Sequence, residues 1–127
     1  MSKTVIKTDQ APAAVGPYSQ GMVIDGWLWT AGQVALDPET AEMVGSDAAT
    51  QADRVLKNLD AILTAAGSDF GRVVRATVYL ANMDDFAAVN EVYARYFREP
   101  FPARACVEVS RLPLGALVEI DVIARVD

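Results

Sequence analysis

A chain of 127 residues, 52% hydrophobic and 22% charged, is too apolar for a disordered polypeptide and long enough for one core, so a single domain over residues 1–127 is expected. Its net charge of −6, with no lysine- or arginine-rich cluster, argues against nucleic acid as a partner. Histidine is absent and cysteine occurs once, at Cys106, which removes the usual metal ligands and the usual base of serine and cysteine hydrolases.

Val5 to Thr8 reads as a short first strand, and Ala11 to Pro17, broken by two prolines and a glycine, as a loop. Met22-Val23-Ile24, Asp25-Gly26 and Trp27 to Ala31 predict a hairpin, because Asp-Gly supplies the positive φ angles of a type I′ turn. From Ala52 an apolar stripe runs through Val55, Leu56, Leu59, Ile62, Leu63 and Ala66, predicting a helix capped by Ser46 or Asp47 and ended by Gly67. Arg72 to Leu80 is β-branched and predicts a strand. Phe86, Val89, Tyr93, Tyr96 and Phe97 mark a second helix, with Asn82 or Asp84 as its cap. Beyond Pro100 and Pro102 the chain is expected to be extended from Arg104 to Val109, and again from Leu117 to Ala124.

This order predicts an α+β fold, a mixed β-sheet with two helices packed on one face. In the last strand Val118, Ile120, Val122 and Ala124 alternate with Leu117, Glu119, Asp121, Ile123 and Arg125, so the first set belongs under the helices. By the same alternation Ala105, Val107 and Val109 join the core side, while Arg104, Cys106 and Glu108 fall on the second face. That face mixes charges with Leu117, Ile123 and Cys106, a surface better covered by a neighbouring subunit than by water. A closed homo-oligomer is expected. There is no apolar run of about 18 residues and no signal-peptide core, so a cytoplasmic protein without a membrane partner is expected.

With no glycine-rich nucleotide cradle either, no metal and no cofactor are expected, and chemistry falls to Arg, Glu, Asp, Tyr, Ser, Thr, Asn, backbone and water. Glu119 lies among Leu117, Val118, Ile120 and Val122, where a carboxylate must be paired, hydrogen-bonded or protonated; the alternative is a surface or structural glutamate. Arg104 opens a strand after the rigid Phe101-Pro102-Ala103 entry, and is either a ligand-binding group or half of an ordinary salt bridge. Cys106 lacks an adjacent group to activate its thiol. Tyr18 sits on the rigid Gly16-Pro17 turn, Gly32 follows Thr30 where another group can come close, and Asn90 interrupts the second helix's apolar stripe.

Gly16 to Gln20, Thr30 to Gln33, Val89 to Tyr93, Pro102 to Val107, Leu112-Pro113 and Val118 to Ile120 together closely resemble the motifs of the Rid, or YjgF, family of reactive intermediate deaminases. The resemblance runs in order from about Thr8 to Ala124, and Arg104 with Cys106 resembles the RidA archetype; Thr30 stands where the archetype usually has serine. It implies a chorismate-mutase-like subunit and a homotrimer with clefts between subunits. It also implies hydrolysis of 2-imino acids such as 2-iminobutanoate and 2-iminopropanoate, or their enamine tautomers, to 2-oxo acids and ammonia. Arg104 would hold the carboxylate and Glu119 the attacking water, with Tyr18, Thr30, Gly32, Asn90 and Cys106 binding substrate. Two other functions stay open: a 2-oxo acid sensor without turnover, and an endoribonuclease, against which the charge and the missing histidine argue.

Overall fold

The computed structural model describes residues 2–127. Among the described residues six strands form one sheet: β1 (Thr4–Ile6), β2 (Gly21–Ile24), β3 (Trp27–Thr30), β4 (Val73–Leu80), β5 (Ala103–Glu108) and β6 (Val118–Arg125), in the spatial order β1-β2-β3-β6-β4-β5. All pairs are antiparallel except β4 with β5. Two helices, α1 (Ala48–Ala65) and α2 (Phe86–Tyr96), link β3 to β4 and β4 to β5, and both bury residues in the same core. The α+β expectation holds, and among the described residues no helix is long and apolar enough to cross a membrane.

Local chemistry sets the element ends. Asp25 and Gly26 both take positive φ, 53° and 78°, which turns β2 directly into β3. Asp47 caps α1: its Oδ1 accepts the Thr50 amide at 2.7 Å, so the helix begins four residues before the first residue of the apolar stripe. Gly67, at φ +79°, lies just beyond its end. Ala52, Val55, Leu56, Leu59, Ile62 and Leu63 are fully buried against the sheet, each large side chain contributing on the order of 1.5–3 kcal/mol. Asn82 caps the short 3-10 turn Met83–Asp85 that leads into α2, and the Glu108 carboxylate accepts the Met83 amide at 2.8 Å.

One expectation fails. Arg104, Cys106 and Glu108 lie on the helix side of the sheet, and Ala105 and Val107 on the open side. In the parallel β4–β5 ladder Arg104 pairs with Ala76 and Cys106 with Val78, both buried under the helices. Alternation misleads here because β5 is an edge strand, where α2 only partly covers the helix side and polar groups can occupy it. Glu119 and Asp121 do face the open side, where Glu119 pairs with Tyr79. Across that side Val5, Met22, Trp29 and Ile123 form one cross-strand row, with Val5 and Trp29 more than half exposed.

Candidate active site

Arg104 is held from three directions. Its Nη1 donates to the Asn90 side-chain oxygen at 2.7 Å, and its guanidinium carbon stands 4.8 Å from the Tyr93 ring centre and 5.5 Å from that of Phe86. All three partners come from α2, where positions 86, 90 and 93 share one face at i, i+4 and i+7. No carboxylate pairs with Arg104 among the described residues, so the ordinary salt-bridge reading fails. The guanidinium borders an open groove of about 410 Å³ lined by Asn90, Tyr93, Ala94, Phe101, Pro102 and Arg104. Cys106 lies one pleat along β5, half-buried; burial pushes its thiol pKa up, opposed in part by Arg104, so it is protonated at neutral pH.

Glu119 stands on the other face, and its environment comes from an irregularity in β3. After Trp29 pairs with Ile123, the chain next bridges β6 at Gln33 and Ile120, so residues 30–32 stand opposite only 121 and 122. This bulge consumes the Thr30 hydroxyl, which accepts the Val122 amide at 3.0 Å and donates to the Val122 carbonyl at 3.3 Å. Thr30 therefore shapes the backbone instead of presenting a free hydroxyl. Gly32 ends up against Glu119: a Cβ there would come within 2.9 Å of the carboxyl carbon. Burial first, and the Asp121 charge second, push the Glu119 pKa above the usual carboxylate range. Asp121 is itself raised by burial, against the lowering effects of its 3.2 Å bond from the Tyr79 hydroxyl and of Arg75.

The predicted residues thus form two groups and an outlier. Arg104, Asn90 and Cys106 gather on the helix side of β5, while Glu119, Gly32 and Thr30 gather around β6. Tyr18, about half exposed, lines a separate groove of about 560 Å³ with Ser19, Gln20 and the 5–9 segment. Within one chain the sheet separates the guanidinium from the carboxylate. Phe86 and Tyr93 are not legible in the sequence as supports of Arg104, since an apolar stripe does not announce which ring a cation stacks on. Asp121 as the charge beside Glu119 is legible, from the i, i+2 spacing on one strand face, but is not among the site residues expected above.

Residues 8–126 match the family model described as endoribonuclease L-PSP. Protein DfrA of Myxococcus xanthus is 54% identical over 126 residues, covering 98% of this chain and 96% of that protein. The 2-iminobutanoate/2-iminopropanoate deaminase of Mus musculus is 49% identical over 122 residues, covering 96% and 90%. Among solved structures, the Rid-family protein YyfA of Yersinia pestis superposes with a TM-score of 0.96 at 47% identity, covering 98% of this chain and all of that one. With the family model spanning nearly the whole chain and the fold shared throughout, the chain belongs to the Rid, or YjgF, family.

Proposed function

We propose that this protein hydrolyses 2-imino acids, 2-iminobutanoate and 2-iminopropanoate among them, to 2-oxo acids and ammonia, in clefts between the subunits of a homotrimer. The observation that carries the reading is the separation of two charges that are unpaired among the described residues: Arg104 without a carboxylate partner on one face of the sheet, and Glu119 without a cationic one on the other. Each is half of a site, and a second copy packed against the open face supplies the missing half. The exposed Val5, Trp29 and Val107 on that face support such packing.

In this reading Arg104 grips the substrate carboxylate through two parallel N–H donors, each charge-assisted bond worth about 1.5–3 kcal/mol. The adjacent iminium carbon is already electrophilic, so neither metal nor cofactor is needed. Glu119, ionised, takes a proton from water as the oxygen bonds to that carbon and the C=N electron pair moves to nitrogen. The protonated carboxyl then returns that proton to the carbinolamine nitrogen, and the regenerated carboxylate takes the hydroxyl proton as the C–N bond breaks, so that ammonia and the 2-oxo acid leave and the last proton passes to solvent. A raised pKa suits a group that must both accept and give a proton near neutrality. Asn90 orients Arg104, Gly32 gives Glu119 room, and Tyr18, Thr30 and the Cys106 backbone complete the pocket wall.

Two measurements test this. The purified protein is expected to accelerate 2-oxo acid release from freshly generated 2-iminobutanoate and 2-iminopropanoate; binding of 2-oxobutanoate without acceleration would make it a sensor instead. Arg104→Lys and Glu119→Gln are each expected to be inactive, yet co-assembled they recover roughly a quarter of wild-type turnover, the share of clefts that pair an intact Arg104 with an intact Glu119 under random mixing of a symmetric ring. No recovery on mixing would place both groups in one chain and overturn the shared cleft.

A further inference from the structure

The Arg104 guanidinium is the last layer of an aromatic stack that begins in the core. Phe70 meets Phe97 edge to face, with centroids 5.0 Å apart at 77°; Phe97 stacks on Tyr93 at 4.2 Å and 20°; and Arg104 lies 4.8 Å above Tyr93. Phe97 and Tyr93 are almost fully buried, so the platform is fixed by packing. Phe86, more exposed, flanks the same guanidinium at 5.5 Å.

We infer that Tyr93 is a positioning residue for the carboxylate clamp, its ring setting the plane of the Arg104 guanidinium while Asn90 sets its rotation within that plane. This rests on the proposed role of Arg104 and deepens it. A guanidinium recognises a carboxylate through two coplanar N–H groups, so tilting the plane costs the second bond even where the charge stays put. The ring face restrains tilt by cation–π attraction, and the Asn90 oxygen takes Nη1, leaving the remaining edge to a ligand. The Tyr93 hydroxyl is buried without a hydrogen-bond partner among the described residues, so the ring, and not the hydroxyl, is the part of Tyr93 that acts on Arg104.

The experiment compares Tyr93→Phe and Tyr93→Leu in the intact protein by three readouts: the side-chain Nε–Hε resonance of Arg104, assigned by its loss in Arg104→Lys; calorimetric affinity for 2-oxobutanoate; and KM and kcat for 2-iminobutanoate. Wild type and Tyr93→Phe are expected to share a ring-current-shifted Arg104 signal and affinities within about twofold of each other. Tyr93→Leu moves the signal toward its unstacked position, weakens 2-oxobutanoate by about tenfold and raises KM by a similar factor with kcat little changed, the range a desolvated cation–π contact gives. A residue that only filled the core would lower the melting temperature without this split. A folded Tyr93→Leu protein with unchanged signal and affinity, or a Tyr93→Phe protein as impaired as Tyr93→Leu, overturns the inference. If Tyr93→Leu does not fold, Tyr93→Met, which fills the site without a ring, is measured in its place, with the same shift and weakening expected and a folded protein unchanged in both overturning the inference. Absence of imine turnover in the wild type would sink the deaminase reading alone, since the Arg104 resonance still decides the platform.

Discussion

Gly32 and Glu119 occupy the same space to within the width of a methyl group: a Cβ at Gly32 would sit 2.9 Å from the Glu119 carboxyl carbon. The contact is local to the side chain, because Gly32 does not take positive φ and its backbone accepts any residue. Gly32→Ala is therefore expected to push the carboxylate off its position, with the proposed imine hydrolysis falling by about one to two orders of magnitude, the usual cost of an ångström's displacement for a group in the role proposed for Glu119. Circular dichroism melting, run beside the activity assay, is expected to change far less than the rate.

The pH dependence follows from the direction of the Glu119 shift. Burial and the neighbouring Asp121 charge raise its pKa, and in the proposed reaction the attacking water needs the ionised form, so kcat/KM is expected to rise with pH through a limb above the ordinary carboxylate range. Tyr79 and Arg75 from β4 face the pair, and both act on Asp121. Asp121→Asn removes the second cause while leaving the first. The acid limb is expected to move to lower pH yet stay above that of an exposed glutamate; a limb that does not move would mean that Asp121 exerts no charge on Glu119.

The Cys106 thiol is protonated and half-buried, one pleat from the stacked arginine. Cys106→Ala is expected to keep turnover within about threefold of wild type and to lose little stability, as a partly buried small side chain does. Inactivation would assign the sulfur a role in the chemistry.

Tyr96 ties the two helices together away from both charged groups, its hydroxyl donating to the Asp53 carboxylate at 2.5 Å. That bond is the largest cause of the lowered Asp53 pKa, ahead of the opposing burial and of Lys57. A depressed carboxylate pKa contributes stability above the unfolded value that is lost as pH falls through the folded one. Tyr96→Phe is expected to cost about 1 kcal/mol at pH 7, discounted for the exposure of Asp53, and to leave activity intact. The difference in melting temperature from wild type should shrink as pH falls below the carboxylate range.

Much of this fold is legible in periodicity. The α1 stripe, the Asp-Gly hairpin and the alternation of β6 are each dictated by one residue's neighbours, and the observed elements differ from expectation by a few residues at their ends. The side of β5 is not legible, because it depends on which strand β5 joins: paired to β4 in parallel, Arg104 inherits the face of Ala76. The apolar flanks of Glu119 mark it for attention but leave it open between a site residue and a structural glutamate. What holds Arg104 is not legible, since Asn90, Tyr93 and Phe86 meet it only when α2 folds back over the edge of the sheet. Thr30 has a structural role that its place beside Gly32 does not reveal, its hydroxyl bridging the bulge to Val122.

The placement of Arg104 and Glu119 on opposite faces of the sheet has a genetic consequence for the proposed assembly. Each chain lends its arginine to one cleft and its glutamate to the next, so a subunit carrying both Arg104→Lys and Glu119→Gln spoils both clefts it borders, including the halves supplied by intact neighbours. Co-expressed with the wild type, such a chain is dominant, and the defect it causes outruns its share of the protein made.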